Sequence, residues 1–160
     1  MSLESVRQWL AANAPDLRLL ELEETTATVD TAAKAIGVEP GRIAKTLAVR
    51  AGDHLFLLVA RGDARLDNRK CKDEFRSRPR MLGADETLEL TRHPVGRVCP
   101  FGLKQPVPIY VDVSLKAFDV VYPAGGSLNT SVEIPVPRLI DLVGDRWVDL
   151  CRLPEEAGSE

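Results

Sequence analysis

Lys45 is the side chain whose position in the sequence most suggests chemistry. It lies in a segment that alternates as a strand does, so its side chain shares a face with Leu47 and Val49. An ammonium group beside apolar residues is costly unless an anion or a carbonyl oxygen binds it. A bound ammonium of this kind can stabilise negative charge during a reaction. The alternative, which is more frequent for lysine, is a stem that lies on apolar surface while the ammonium reaches water.

A loop between Gly96 and Gly102 is the second candidate. Its two glycines frame Pro100 and Phe101, and glycine allows the backbone to approach a ligand closely. Such a loop can direct backbone N–H groups at a carbonyl or carboxylate oxygen. The alternative is a rigid turn in which Phe101 fills the core.

A second glycine turn, Gly125-Gly126, is followed by Ser127 and Asn129. Paired glycines beside these short polar side chains could line a small polar site. A plain hairpin turn accounts equally well for the same residues.

Other catalytic arrangements have little support in the sequence. His54 and His93 are the only histidines and have no ligand-like neighbour one helical turn away, so we expect no metal site. Cys99 follows His93 by six residues, which is a weak indication of a thiol nucleophile and its base. No glycine motif of the phosphate-binding kind is present, and we expect no cofactor.

The composition predicts a soluble globular protein. The chain has 160 residues, of which 44% are hydrophobic, and no apolar run approaches the roughly 18 residues that a membrane span needs. Its three cysteines form no CxxC motif, which favours a reducing compartment over a disulfide framework. The N-terminal residues lack the features of a signal peptide. We therefore expect a cytoplasmic protein.

Positive charge is concentrated in residues 61–80. This segment has eight basic and four acidic side chains, whereas the whole chain has a net charge of −3. A local basic patch can bind a phosphate backbone, but a solvated helix face with ion pairs one turn apart is at least as common. The candidates for contacts with a nucleic-acid backbone are Arg65, Arg69, Lys70 and Lys72.

Helical and extended segments alternate along the chain and position these candidates. They predict an α/β protein of the mixed α+β kind, with one domain over residues 1–153 and a frayed tail over residues 154–160. Asp30 and Asp85 are the expected N-caps of two short helices, and Gly37 is the expected left-handed end of the first. The strand at 55–60 is apolar on both faces, so we expect it in the centre of the sheet. The expected helices cover residues 2–14, 30–36, 67–75, 85–91 and 137–143, and the other expected strands cover 17–22, 45–50, 107–112, 120–122, 131–134 and 147–150.

Several short segments together indicate a known family. In chain order they are Asp30-Thr31-Ala32-Ala33-Lys34-Ala35-Ile36-Gly37-Val38, Arg42-Ile43-Ala44-Lys45-Thr46-Leu47, Arg65-Leu66-Asp67, residues 96–102, Ala124-Gly125-Gly126 and Ser131-Val132-Glu133-Ile134. Each is unspecific alone, and the match over residues 17–150 depends on their joint order and separation. On these segments the chain resembles the YbaK-type aminoacyl-tRNA deacylases, a domain that is also inserted in bacterial prolyl-tRNA synthetases.

The resemblance implies a mixed, barrel-like β-sheet surrounded by short helices. It also implies hydrolysis of the ester that joins a mischarged amino acid to the 3′-terminal adenosine of tRNA. The implied partners are the acceptor end of mischarged tRNA and an aminoacyl-tRNA synthetase, and the basic segment would bind the tRNA backbone. The family's site positions fall on the invariant lysine Lys45, its neighbour Thr46, the pocket-wall residue Thr28, and the glycines Gly96, Gly102, Gly125 and Gly126.

These positions suggest a division of roles. We hypothesise that Lys45 binds the substrate carbonyl or the adjacent phosphate as a fixed cation and that the loop at 96–102 supplies N–H donors. Thr28, Ser127 and Asn129 would contact the amino-acid side chain. An aminoacyl ester is already activated, so orientation and oxyanion stabilisation suffice without a metal or a dedicated nucleophile.

A departure from the family's sequence pattern indicates the substrate, and two alternative functions stay open. Cysteine-specific members have a Lys-Arg pair where this chain has Ser127-Leu128, so we expect a small amino acid such as alanine, serine or threonine. One alternative is a non-catalytic module of the same fold that binds tRNA or a synthetase. The other is an ester or amide hydrolase that uses Cys99.

Overall fold

The computed structural model describes residues 2–26 and 28–154. Short 3-10 helices cover Pro40–Arg42 and Val113–Ala117. The α-helices are α1 (Ser2–Asn13), α2 (Val29–Ile36), α3 (Asn68–Phe75), α4 (Ala84–Thr91) and α5 (Val136–Val143). The strands are β1 (Arg18–Glu21), β2 (Ile43–Ala51), β3 (His54–Arg61), β4 (Arg65–Leu66), β5 (Pro79–Met81), β6 (Ile109–Asp112), β7 (Val120–Pro123), β8 (Thr130–Pro135), β9 (Arg146–Val148) and β10 (Cys151–Arg152).

Eight strands form one mixed sheet. The strand order is β1-β8-β7-β2-β3-β6-β9, and β5 pairs with part of β2. The hairpin β2–β3 is antiparallel and places Lys45 opposite Ala60, whereas β2 pairs in parallel with β7, and β3 with β6. A separate two-stranded ladder joins β4 and β10. The predicted mixed sheet with short surrounding helices is therefore confirmed.

Strand β3 lies inside the molecule, as its apolar sequence predicts. Phe56 through Ala60 are completely buried. One face of the sheet packs against α1, α5 and the loop around Phe101 to form the main core. The other face packs against α3, where Cys71 and Phe75 are buried and the Phe75 ring lies 4.9 Å from the ring of Phe56. The prediction that Cys71 is a packed core thiol is confirmed.

Two helix starts differ from the sequence prediction. Helix α2 is capped by Thr28, not Asp30, because the Thr28 hydroxyl accepts from the Thr31 N–H at 3.1 Å while the Thr31 hydroxyl accepts from the Thr28 N–H at 3.1 Å. This reciprocal pair satisfies two backbone donors at once. Helix α4 begins after Gly83, and Asp85 lies in its first turn. Gly37 ends α2 at a φ of 86°, as predicted.

The remaining sequence expectations concern the ends of the chain and the membrane. Only residue 154 of the expected tail belongs to the described part, and residues 155–160 lie outside it. Within residues 2–26 and 28–154, none of the helices has the length and apolar character needed to cross a bilayer.

Candidate active site

A gap in the strand pairing beside β2 marks the candidate site. Strand β7 pairs only with Ile43 and Ala44, and β5 pairs only with the stretch from Val49 to Ala51. Within the described part of the chain, no strand therefore pairs with residues 45–48 on this side. The opening leads into a cavity of about 320 Å³.

The cavity wall contains four of the residues predicted from the sequence. They are Lys45, Thr46, Thr28 and Gly96. The rest of the wall is mostly apolar side chains, from α2, from β2 and from the segments around Met81 and Val95, together with further hydroxyl groups. The wall residues that the sequence analysis did not single out include Thr26, Met81, Thr87, Val95, Tyr122 and Ser131.

Thr46 presents its backbone to this cavity. In an antiparallel ladder, residues alternate between exchanging hydrogen bonds with the partner strand and pointing their N–H and C=O groups away from it. The Ala48 carbonyl accepts from the Leu82 N–H at 3.0 Å, so Ala48 points away from β3, and Thr46 points the same way. Neither β7 nor β5 reaches Thr46. Its N–H and C=O groups therefore face the cavity, and its buried hydroxyl has no partner among the described residues.

The Lys45 ammonium is held by a tight turn that follows β3. Lys45 is half-buried, and its Nζ donates to the carbonyl oxygen of Ala64. Burial lowers the pKa of Lys45 below its usual value, while the nearby Cys151 and Asp63 oppose this shift. The predicted lysine is thus neither fully exposed nor buried without a partner.

The turn that carries Ala64 is itself fixed on several sides. The Arg61 guanidinium donates twice to the Asp63 carboxylate, at 2.6 and 3.0 Å. The Ala64 N–H donates to the Arg61 carbonyl at 3.0 Å. Gly62 lies against the carbonyl oxygens of Pro40 and Ile43, so close that a Cβ there would be 2.3 Å from the first. A rigid turn therefore fixes the position of the Ala64 carbonyl that binds Lys45.

Only one end of the loop at 96–102 reaches the cavity. Gly96 adopts a φ of 90° and lies on the wall. Phe101 is completely buried, with its ring 5.3 Å from the ring of Trp9 on α1, and Gly102 packs against the Ser5 carbonyl. Pro100 and Gly102 line a shallower depression beside Trp9. Pro100, Phe101 and Gly102 thus dock the loop onto α1, away from the cavity.

The second glycine turn lies outside the cavity wall as well. Gly126 packs against the Ser2 carbonyl on α1 with a φ of 97°, and the Gly125 N–H donates to the Thr130 carbonyl at 3.0 Å. The Ser127 hydroxyl donates to the Asn129 side chain at 3.0 Å. These residues form the β7–β8 hairpin turn, which was one of the two interpretations of the sequence.

Asn129 also ties this turn to the segment that carries Thr26. Its side-chain amide donates to the Leu22 carbonyl at 2.9 Å, and the Thr26 N–H donates to the Leu128 carbonyl at 2.5 Å. The turn therefore holds in place the segment that contributes Thr26 to the cavity wall. The threonine run at positions 25, 26 and 28 was the sequence signal that could have identified Thr26.

The predicted basic residues divide into two groups. Arg65, Arg69 and Lys72 are exposed. Lys70 instead donates to the Asp149 carboxylate at 3.0 Å and to the Cys151 carbonyl at 2.7 Å. Its ammonium thus holds β10 against α3.

Cys99 and His93 are close together but are not arranged for nucleophilic catalysis. The Cys99 sulfur lies 3.5 Å from His93 Nε2, and both side chains are completely buried. Burial raises the pKa of Cys99 to about 12. His93 Nε2 donates to the Phe101 carbonyl at 2.7 Å, and Nδ1 accepts from the Ser2 hydroxyl at 2.5 Å. A protonated and inaccessible thiol cannot attack a substrate, which contradicts the thiol-hydrolase alternative.

Comparisons with known proteins identify the family of the chain. Residues 23–142 match the model of the aminoacyl-tRNA editing domain. The chain is 44% identical over 158 residues to the uncharacterised protein YwhH of Bacillus subtilis, covering 95% of this chain and 98% of that protein. It is 34% identical over 104 residues to part of the proline–tRNA ligase of Shouchella clausii, covering 63% of this chain and 18% of the ligase.

A solved structure is similar over nearly the whole chain. The crystal structure of a candidate trans-editing enzyme for prolyl-tRNA synthetase has a TM-score of 0.86 and 30% sequence identity, covering 94% of this chain and 97% of that one. Sequence and fold together show that the chain belongs to the aminoacyl-tRNA editing domain family.

Proposed function

We propose that the protein is a trans-editing hydrolase that cleaves the aminoacyl ester of mischarged tRNA, with alanine, serine or threonine as the amino acid removed. The observation that carries this proposal is a cavity into which a free strand edge opens and whose wall includes Lys45, the lysine whose ammonium is held by the neighbouring Ala64 carbonyl. Positioned cations and backbone donors are what an acyl-transfer site needs to stabilise an oxyanion.

The reaction needs few groups because the ester is already activated. A water molecule attacks the ester carbonyl carbon, or the hydroxyl of a serine or threonine substrate attacks it to form a β-lactone that water opens afterwards; in both cases the attacking oxygen gives up its proton. The bond from that carbon to the ribose oxygen then breaks, and the ribose oxygen takes a proton to leave tRNA with a free hydroxyl. In this proposal the Lys45 ammonium and the Thr46 N–H stabilise the negative charge on the carbonyl oxygen, and the backbone at Gly96 closes the site. No step requires a metal ion, so a chelating agent should leave the rate unchanged.

The size and chemistry of the cavity support a small substrate. A volume of about 320 Å³ is near the lower end of ligand pockets, which run from roughly 300 to 1,000 Å³. Val29 and Ala32 supply apolar surface on one side. Thr26 and Thr46 are largely buried, and their hydroxyls would discriminate between an alanine methyl group and a serine or threonine side chain.

The test is a deacylation assay with the purified chain against tRNA charged with alanine, serine, threonine or the cognate amino acid. We expect hydrolysis of at least one mischarged tRNA, and a loss of about 100-fold or more in kcat for Lys45→Ala, since one stabilising donor is commonly worth that much. Lys104→Ala is the matched control, because Lys104 is exposed in a loop away from the cavity. A Lys45→Ala protein that hydrolyses at the wild-type rate would rule out the mechanism. Tight tRNA binding without any hydrolysis by the wild type would favour a non-catalytic binding module.

A further inference from the structure

Two arginines lie directly opposite each other in the ladder between β4 and β10. Arg65 pairs with Arg152 in an antiparallel register, and like charges in this position destabilise a ladder. Within residues 2–26 and 28–154, no carboxylate lies within ion-pair distance of either guanidinium. A second pair of this kind, Arg50 opposite Arg80, differs because Glu86 binds Arg50 at 3.4 Å. The ladder therefore has excess positive charge that its described neighbours do not compensate.

This arginine pair is next to the candidate catalytic lysine. The Ala64 carbonyl, which accepts from Lys45, immediately precedes Arg65. The Cys151 thiol, which is close enough to interact electrostatically with the Lys45 ammonium, immediately precedes Arg152. Successive side chains on a strand alternate between faces, so Cys151 points to the core while the two arginines share the opposite face. The positive charge of Arg65 is nevertheless close enough to lower the pKa of Lys45, so the pair lies near Lys45 on the outer side of the ladder.

The arginine chemistry indicates which ligand fits. A guanidinium presents a planar fork of donors that matches the oxygens of a phosphate. Arg65 is exposed and Arg152 is half-buried, with a buried Nε that has no acceptor among the described residues. Two such groups on one face can bind one anion from two sides. The neighbouring Lys70 is already engaged by Asp149.

We propose that Arg65 and Arg152 together bind one backbone phosphate of the 3′-terminal strand of tRNA. The inference rests on the proposed function, because an aminoacyl ester in the cavity places the last nucleotides of the strand beside Lys45. The phosphate supplies the negative charge that the ladder lacks. The pair then contributes to the affinity for tRNA, and the chemical step is left to Lys45 and Thr46.

The first test measures binding alone. An uncharged acceptor-stem minihelix ending in CCA is titrated with the wild type, with Arg65→Ala, with Arg152→Ala and with the double variant over a series of salt concentrations. We expect each single variant to bind about tenfold more weakly, and the double variant to lose about one unit of the slope of log affinity against log salt, since one phosphate contact contributes about that much. Arg78→Ala is the matched control, because Arg78 is exposed in the same basic segment. An unchanged slope, an equal effect of Arg78→Ala, or no binding by the wild type would overturn the inference.

The second test separates this inference from the proposed function. With an aminoacyl minihelix, the double variant should show a KM about tenfold higher and a kcat close to that of the wild type. With an aminoacyl adenosine, which has no phosphate, the double variant and the wild type should be equally active. An equal loss on both substrates would contradict a phosphate contact. If the wild type hydrolyses neither substrate, the proposed function fails while the binding titration still decides the role of the two arginines.

Discussion

Substitution of Gly62 tests whether the turn after β3 is as rigid as its contacts indicate. A Cβ at this position would lie 2.3 Å from the Pro40 carbonyl oxygen, 2.8 Å from the Ile43 carbonyl oxygen and 2.8 Å from a methyl group of Val29. Two of these three atoms belong to the backbone and cannot rotate away. Overpacking of this kind costs about 1–3 kcal/mol, and we expect the upper half of that range for Gly62→Ala. For a chain of this length, the melting temperature should fall by about 4–12 °C.

The same substitution should also reduce activity, because the turn holds the partner of the catalytic lysine. To relieve the clash, the turn must move by about 1 Å, which brings the 2.3 Å approach out to the 3.4 Å of an ordinary contact. The Ala64 carbonyl would move with it, and the Lys45 ammonium would follow. A misplacement of that size can cost about 100-fold in rate. We therefore expect a lower kcat for Gly62→Ala at a temperature where the variant is fully folded.

Thermal unfolding followed by circular dichroism measures the first effect, and deacylation well below the melting temperature measures the second. Gly83→Ala is the control, because a Cβ at Gly83 meets no atom within 4 Å, and replacing this N-cap glycine of α4 should cost at most about 1 kcal/mol. A Gly62→Ala protein as stable as the wild type would refute the packing argument. Lower stability with full activity would refute the link between the turn and Lys45.

Two further predictions concern buried groups near α1 and in the core. Burial lowers the pKa of His93 below its usual 6.5, so the unfolded chain binds this proton more tightly than the folded one. The free energy of unfolding should therefore fall as the pH drops from about 6.5 toward the folded-state pKa. Urea unfolding at several pH values should show a weaker pH dependence for His93→Gln than for the wild type, and an unchanged pH dependence would contradict the lowered pKa of His93. Cys71, Cys99 and Cys151 are all buried, and burial raises the pKa of the first two to about 11 and about 12. An alkylating reagent should therefore leave the native protein unmodified and active, and rapid labelling without denaturant would show that a thiol is accessible.

Local patterns were sufficient to predict the strands that carry the site. Alternation at 45–50 predicted the strand β2, and the apolar run at 55–60 predicted a central strand because both of its faces must be buried. Alternation placed Lys45 on a partly buried face. The resemblance to the deacylases then selected this lysine from several candidates. None of these inferences needed contacts between distant segments.

The cavity itself depends on such contacts and was not predictable from the sequence. It exists because β7 stops pairing with β2 at Ala44 and β5 starts pairing at Val49. Pro123 can mark the end of β7 because proline lacks an N–H, but the local sequence does not say that β2 is the strand beside it. The hydrogen-bond partner of Lys45 was not predictable from the sequence either. Ala64 contributes only its backbone carbonyl, and every residue has such a group.

The glycine motifs show why close backbone approach is an ambiguous sequence signal. A glycine that lets a ligand approach the chain and a glycine that lets a helix approach it have the same sequence pattern. Gly102 lies against Ser5 and Gly126 lies against Ser2, so both glycines accommodate helix α1, and only Gly96 lies on the cavity wall. Because α1 precedes residues 23–142, which match the editing-domain model, these two glycines join the matched region to a helix outside it. A side chain at either position should therefore loosen α1 before it affects the chemistry at Lys45.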